Sequence, residues 1–317
     1  MASRPLAARL LDQSLVLWRD AAGAIKAWSD QCPHRGASLA LGRVVNDRLV
    51  CAYHGWGFDG NGQCRGIPAT PGLVPGAAYR ACTFEVQEAY GLIWVRLQAP
   101  LQAHPVHDLP AFQAEHDPQL RKLNCGPYRV NSSAPRVVEN FLDLAHFGFV
   151  HDGLLGSKDA AEVEPYDVAT TPHGLRATGC KAVQPRASMN AVQPAEIAYS
   201  YEVTAPFAAV LTKALEPPVA AQTKADAIAL FINPETPETC VVWIRLAVND
   251  TASTDEELAA FQDTIFAQDL LIVQSQRPKR LPLAPGAELN GAADRTSAAY
   301  RRFLSQTGIG FGVTGHP

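Results

Sequence analysis

The 317 residues are 47% hydrophobic and 18% charged, with 27 basic residues against 31 acidic ones for a net charge of −4. That is more material than one compact core usually takes, so two domains are expected. The acidic balance, with no basic run longer than Arg301–Arg302, argues against a nucleic-acid surface, and no apolar run is long enough to span a bilayer.

The opening MASRPLAARLLDQ is Arg-bearing and mildly amphipathic, as a transit peptide would be, but Asp12 and the following SLVLWRDAAGAIKAW read as a folded hairpin. The first hundred residues are short β-prone runs, among them Leu15–Trp18, Ile25–Trp28 and Arg48–Cys51, with a DGNG turn at Asp59–Gly62. This predicts a small all-β domain over residues 1–105. Four prolines and no sustained period between Ala99 and Pro118 mark a connector, placed at 106–124.

A second domain is expected over 125–317, where helix-like and strand-like segments alternate. PRVVENFLDLAHFGFVH, Pro135–His151, is helical in period, with Pro135 suited to a first turn. Ile197–Val203 and Cys240–Val248 read as strands. The clearest helix runs from Thr254 to Pro278, with Thr254 and Glu257 placed for a capping box, and a short helix follows over Ala293–Ser305. Neither repeats nor low-complexity segments appear. Seven cysteines, odd in number and scattered, make a poor disulfide framework and fit a reducing cytoplasm.

Two clusters carry chemistry. Cys32 and His34 stand two apart, and Cys51 and His54 three apart. Zinc fingers pair Cys with Cys and His with His, whereas here each arm holds one of each. That suits a [2Fe–2S] cluster with two Cys on one iron and two His on the other. Pro33 and Gly36 would shape the first tip, Gly55 the second, and Trp56 could shield an edge. A structural zinc loop is the plainer alternative.

The second cluster is Asp143, His146 and His151. Asp143 and His146 would share a helix face, and the five-residue step to His151 requires a bend or unwinding. In the Thr254–Pro278 helix the apolar stripe runs Leu258, Phe261, Ile265, Ile272, and at about 100° per residue Asp269 falls in its middle. A carboxylate aimed at a core needs a cation, either a metal or an arginine. Two His and one carboxylate with open positions form the facial triad of non-haem Fe(II) oxygenases. Asp255, Glu256 and Asp263 lie off the stripe as solvated charges. His104, His107, His116, His173 and His316 have no partner at ligand spacing and read as surface or linker residues.

CPHRG…CAYHGWGFDGNGQCRGIPA followed by ENFLDLAHFGFVH resembles the oxygenase component of the Rieske non-haem iron oxygenases. The similar branch is the single-subunit one that includes vanillate and dicamba O-demethylases, caffeine N-demethylases and some alkaloid hydroxylases. The tail RPKRLPLAPGAELNGAADRTSAAYRRFL is similar to that branch too, so the resemblance covers nearly the whole chain. It implies an α+β protein: an N-terminal all-β Rieske domain, then a catalytic domain with a helix-grip-like antiparallel sheet. Cys32, His34, Cys51 and His54 become cluster ligands, and His146, His151 and Asp269 become ligands of a mononuclear Fe(II). Asp143 becomes the bridging carboxylate, and Asn140 lies close to the iron. The resemblance further implies a head-to-tail homotrimer in which His54 of one subunit reaches Asp143 of the next. Family members usually carry an earlier N-terminal strand with a tryptophan–tyrosine signature. This chain starts too late for it, so that edge is expected to be truncated or built differently.

The implied chemistry is O2 activation with externally supplied electrons, ending in hydroxylation or oxidative O- or N-demethylation of a small aromatic or heterocyclic molecule. GIGFGV at Gly308–Val313 lacks the last glycine and the helix of a dinucleotide loop. A separate NAD(P)H-dependent reductase, of ferredoxin or flavin type, is therefore expected. The alternatives are a ring-dihydroxylating dioxygenase component, a Rieske electron carrier with a binding domain, and a zinc-stapled interaction protein. The pocket should draw on Phe207–Leu215 and Ala229–Ile232, with Phe231 and Trp243 filling core.

Overall fold

A computed structural model describes residues 4–97, 109–186, 193–215 and 224–315. His104, His107, His316 and the first half of the Ala99–Pro118 connector lie outside the described residues. The chain divides into two compact units, Met1–Leu109 and Pro110–Pro317.

The first unit is all β. Strands β1 (Leu6–Leu10), β2 (Gln13–Arg19) and β3 (Ile25–Ser29) form an antiparallel meander. After it come the short strands β4 (Arg43–Val45), β5 (Arg48–Val50), β6 (Gly57–Phe58) and β7 (Cys64–Gly66) of a second antiparallel sheet. Strands β8 (Thr83–Ala89) and β9 (Leu92–Arg96) then complete the first sheet in the order β1-β2-β3-β8-β9. The alternation in SLVLW buries Val16 and Trp18 in one core cluster and Leu17 in another. Trp18 meets Trp28 edge-on at 5.1 Å between ring centroids, and Trp28 meets Phe58 at 6.5 Å. Cys32 and Cys51 belong to that same cluster, so the cysteine ends of both loops are anchored in packed core.

The second unit is a seven-stranded antiparallel sheet with helices on it. Strand β10 (Arg121–Val130) leads to helices α1 (Ala134–Phe141) and α2 (Phe147–Val150). Five strands then run as a meander, β11 (Asp167–Thr171), β12 (Gly174–Gln184), β13 (Ala195–Ala205), β14 (Ala208–Leu215) and β15 (Asp226–Thr236). Strand β16 (Thr239–Val248) returns between β15 and β10, giving the order β10-β16-β15-β14-β13-β12-β11. Helix α3 (Asp255–Ser275) packs against β10 and α1, and α1 against β14 and β15. Helix α4 (Arg295–Gln306) packs against β11 and β12, and the short strands β17 (Leu281–Pro282) and β18 (Val313–Thr314) pair in parallel.

Helix α3 starts as its sequence requires: Thr254 Oγ1 accepts the Glu257 N–H, and Glu257 returns the bond to the Thr254 N–H. Two expectations need correction. The segment Pro135–His151, helical in period with a bend or unwinding expected at His151, breaks earlier, with residues 142–146 non-helical. Asp143 Oδ1 accepts the Ala145 N–H at 2.8 Å, a local bond that competes with the helical ladder, so Asp143 and His146 meet across a turn rather than along a helix face. On α3, Ile272 does not continue the stripe; it is 47% exposed, while Val273 is buried. Val273 stands four residues after Asp269 and therefore on the same face.

Among the described residues, no helix is long and apolar enough to cross a membrane. All seven cysteines are free, and all but Cys82 are buried.

Candidate cluster and metal sites

The two Cys/His loops are built alike. Gly36 N–H closes onto Cys32 O at 2.8 Å and Gly55 N–H onto Cys51 O at 3.1 Å, each glycine at positive φ (69° and 72°). These turns lift His34 and His54 above the buried cysteines and bring their rings to 4.6 Å. Trp56 stacks on His34 at 4.4 Å, and Tyr79 stacks on Trp56 in turn, so Trp56 covers one face of the His34 ring. The cysteines pair likewise: burial, aided by the neighbouring Cys51 thiol, pushes the Cys32 thiol up to about 11. Desolvation, together with His54 and Arg35, holds His34 below its ordinary range, which favours the neutral imidazole that a metal ligand needs.

Two observations test what these four residues fit. His34 Nδ1 is buried with no hydrogen-bond partner, as an imidazole nitrogen reserved for a metal would be. The second observation is the pairing: Cys32 and Cys51 lie in one packed core cluster and the His34 and His54 rings meet at 4.6 Å. Two thiols beside two imidazoles suit the two irons of a [2Fe–2S] cluster.

In the second unit, His146 follows the turn after α1, His151 caps the C-terminus of α2, and Asp269 lies on α3. His146 Nε2 is 3.2 Å from His151 Nε2 and 3.4 Å from Asp269 Oδ1, and His151 Nε2 is 3.1 Å from Asp269 Oδ1. Adjacent ligands of an octahedral ion with bonds of about 2.1 Å lie about 3 Å apart, so this triangle has the size of one octahedral face. The outer nitrogens are also held. His146 Nδ1 lies 3.1 Å from Asp143 Oδ2, and His151 Nδ1 lies 2.7 Å from Gln268 Oε1. Each acceptor holds the proton on Nδ1 and leaves Nε2 with its lone pair facing the triangle. Asn140 Nδ2 donates to Asp269 Oδ1 at 3.3 Å.

The electrostatics call for a cation. Burial opposes charge on His146, but Asp143 and Asp269 override it and raise the imidazole to about 9. Burial likewise opposes the Asp269 carboxylate, yet His146 and His151 draw it down to about 2. Asp143 is lowered against the same burial, chiefly by His146. No arginine pairs with Asp269 among the described residues; its partners are the two histidines and Asn140.

The triangle opens on a cavity of about 100 Å³. Its sheet wall uses alternate residues of adjacent strands: Tyr199 on β13, Leu211 and Lys213 on β14, Ile228 and Leu230 on β15, Ile244 on β16. Phe261, Ile265 and Phe266 of α3 close the other side. Both segments expected to supply the pocket contribute, Phe207–Leu215 through Leu211 and Lys213 and Ala229–Ile232 through Leu230. Phe231 is buried, edge-on to Phe112, and neither it nor Trp243 lines the cavity. Asp255 pairs with Arg121, and Asp263 accepts from the Tyr128 hydroxyl. His116 and His173 are exposed. Gln268 was not anticipated, although the stripe of Phe261 and Ile265 passes through it. Lys213 and Tyr199 carried no signal beyond strand alternation.

Comparison with known proteins identifies both domains. Residues 2–82 match the Rieske [2Fe-2S] domain, and residues 130–308 match the vanillate O-demethylase oxygenase C-terminal domain. The chain is 33% identical to the methylxanthine N1-demethylase NdmA of Pseudomonas putida, over 95% of this chain and 82% of that one. It is 38% identical to the probable methylxanthine N7-demethylase NdmC of Pseudomonas sp. (strain TJI-51), over 75% of this chain and 83% of that one. The structure of Pseudomonas putida NdmA with caffeine superposes with a TM-score of 0.80 at 30% identity, covering 95% of this chain and 83% of that one. Dicamba monooxygenase bound to 3,6-dichlorosalicylic acid gives 0.77 at 26% identity, covering 96% and 94%. Together, the two matched domains imply a Rieske cluster and a mononuclear iron, and the first of them replaces the structural-zinc alternative.

Proposed function

This chain belongs to the Rieske non-haem iron oxygenases with a vanillate O-demethylase-type catalytic domain, and on that premise we propose that it oxidatively removes an O- or N-methyl group from, or hydroxylates, a small aromatic or heterocyclic molecule held in the cavity. One observation carries this reading. The donor atoms of His146, His151 and Asp269 converge within 4.8 Å at the wall of a largely apolar cavity. An electron carrier with a binding domain has no use for such a site.

Cys32, His34, Cys51 and His54 would hold the [2Fe–2S] cluster, and His146, His151 and Asp269 the mononuclear iron. When bound, these centres supply single electrons and reduce O2. The chain's own residues set the conditions. Asp143 and Gln268 accept hydrogen bonds from the two Nδ1–H groups, so that both Nε2 atoms keep their lone pairs for the metal. Asn140 orients the Asp269 carboxylate. The aliphatic and aromatic walls keep water from competing for the open face. Hydroxylation of a methyl carbon borne on oxygen or nitrogen gives an unstable hemiacetal or hemiaminal, whose C–O or C–N bond breaks to release formaldehyde and leave the free hydroxyl or N–H group. The second oxygen atom leaves as water, with two electrons and two protons consumed.

Those electrons come, in this reading, from a separate NAD(P)H-dependent reductase of ferredoxin or flavin type. The working assembly is a head-to-tail homotrimer in which Asp143 bridges His146 to His54 of the adjacent subunit. Metal and sulfide analysis with EPR after dithionite reduction tests the centres: about three irons and two acid-labile sulfides per chain are expected, with a Rieske signal. With a reductase, a panel of methoxyarenes and N-methyl heterocycles should release one formaldehyde per O2 consumed. Zinc without sulfide, or no oxidised product from any panel member, would overturn the reading.

A further inference from the structure

The cavity wall holds one side chain that gives up a hydrogen atom readily. Among the described lining residues there is no cysteine, methionine or tryptophan, and Tyr199 carries the only phenol. A phenol is oxidised far more easily than an aliphatic chain, a phenyl ring or an amide, which make up most of the remaining wall. Two ring contacts join it to the metal triangle. Phe147 meets the His146 ring at 5.0 Å and the His151 ring at 5.9 Å between centroids, and Tyr199 meets Phe147 at 5.8 Å.

The surroundings of the Tyr199 hydroxyl suit the loss of its hydrogen. Gln184, fully buried, donates through Nε2 to the phenol oxygen. That bond persists after the O–H hydrogen has left, so the buried oxygen keeps a partner. The O–H itself donates to no protein acceptor among the described residues and is left for an acceptor in the cavity. Burial pushes the phenol well above its ordinary value, against the Gln184 hydrogen bond, so at neutral pH the proton and electron leave together. Tyr201, stacked behind Tyr199 at 6.0 Å, is the contrast. Its hydroxyl is buried with no hydrogen-bond partner, so its proton has nowhere to go and oxidation stops at Tyr199. We infer that Tyr199 is a protective oxidation site that discharges the oxidant formed at the iron when no substrate is positioned to receive it. The phenol O–H bond breaks and a new O–H bond forms to the oxygen-derived oxidant. The iron site is reduced by one electron, and a neutral phenoxyl radical remains on Tyr199. An electron from the reductase that feeds the site, with a proton from solvent, then restores the phenol. This inference rests on the proposed function, since an oxygen-reducing iron is what makes such an oxidant.

Hydrogen peroxide is the probe, because its oxygen is already partly reduced and oxidises the iron without reductase or substrate. The metal-replete protein, with Fe(II) at the mononuclear site, is mixed with peroxide and freeze-quenched for EPR. The wild type is expected to show a tyrosyl doublet that collapses when ring-deuterated tyrosine is incorporated. Tyr199→Phe should abolish the doublet, whereas Tyr201→Phe, which removes an equally buried hydroxyl, should keep it. Tyr199→Phe should also raise several-fold the oxygen atoms that mass spectrometry finds on the peptide carrying His146 and His151. Protein holding the cluster but stripped of mononuclear iron should give no doublet. No doublet in the wild type, a full doublet in Tyr199→Phe or in the iron-stripped protein, or its loss from Tyr201→Phe would overturn the inference. Formaldehyde release is scored separately with reductase. A Tyr199 radical without oxidised product from any panel compound would leave the oxidation site standing and remove the demethylase and hydroxylase reading. Product formation without the radical would remove the inference alone.

Discussion

Gln268 Oε1 lies 2.7 Å from His151 Nδ1, one residue before Asp269 on the same helix. Helix α3 thus delivers both the carboxylate of the His146–His151–Asp269 triangle and the acceptor that fixes the tautomer of the histidine opposite it. Gln268→Leu should leave the fold and the Rieske signal intact while weakening iron binding at the second site by about 10–100-fold. Anaerobic Fe(II) titration monitored at the mononuclear site checks this, and Gln268→Glu, which restores an acceptor, should recover most of the affinity.

Asp143 holds His146 Nδ1 at 3.1 Å and shapes the turn through the Ala145 N–H. Asp143→Asn keeps the size but only one of the two acceptor oxygens, so cluster content should match wild type and iron is brought to saturation before the comparison. Electron delivery to the mononuclear site should fall by at least about 100-fold, since the charged bridge to the histidine is lost. Reoxidation of the reduced cluster, followed by rapid-freeze EPR in the presence of substrate and O2, measures it. Reoxidation at the wild-type rate would remove the bridging role.

An ion network braces the helix that leads into the site. Arg136 of α1, 2% exposed, donates to Glu288 at 2.6 and 3.0 Å, and Arg301 of α4 donates to both Glu288 and Glu139. Replacing Glu288 by Gln should cost about 2–3 kcal/mol at neutral pH, because two guanidinium groups lose their shared counter-charge. The pH dependence has a definite sign. The Arg136 hydrogen bond, against some burial and with help from Arg301, holds Glu288 below the ordinary glutamate value. Its contribution is therefore complete above that value and lost as the pH falls through the depressed one. Wild type and Glu288→Gln should converge in urea unfolding midpoint on acidification below about pH 4.

Gly156 sits where the chain returns past α2. A Cβ there would lie 2.5 Å from Phe147 C and 2.6 Å from Gly148 N, both backbone atoms that cannot swing aside. Gly156→Ala should therefore push α2 outward, destabilise the second unit by about 1–3 kcal/mol and displace His151 from the triangle. Thermal unfolding and iron content of the purified variant report the two effects separately, with the cluster sulfide unchanged.

Much of this protein is legible along the chain because its chemistry is written at short range. The C-x-H and C-x-x-H arms need only one turn each to present their ligands, and Gly36 and Gly55 supply those turns locally. The capping box at Thr254 and the strands over 197–203 and 240–248 follow from spacing and periodicity alone. Asp269 was visible because a carboxylate on an apolar stripe is costly wherever the helix packs. What sequence could not decide depends on partners far along the chain. The break at 142–146 arises because the Asp143 side chain captures Ala145 N–H instead of leaving the helix to continue, a competition that periodicity does not register. Gln268 and Tyr199 became informative only when α3 and the sheet brought them to His151 and to one cavity. The loss of water around a side chain, which makes a lone phenol or a held tautomer matter, is a property of the assembled walls and of no single segment.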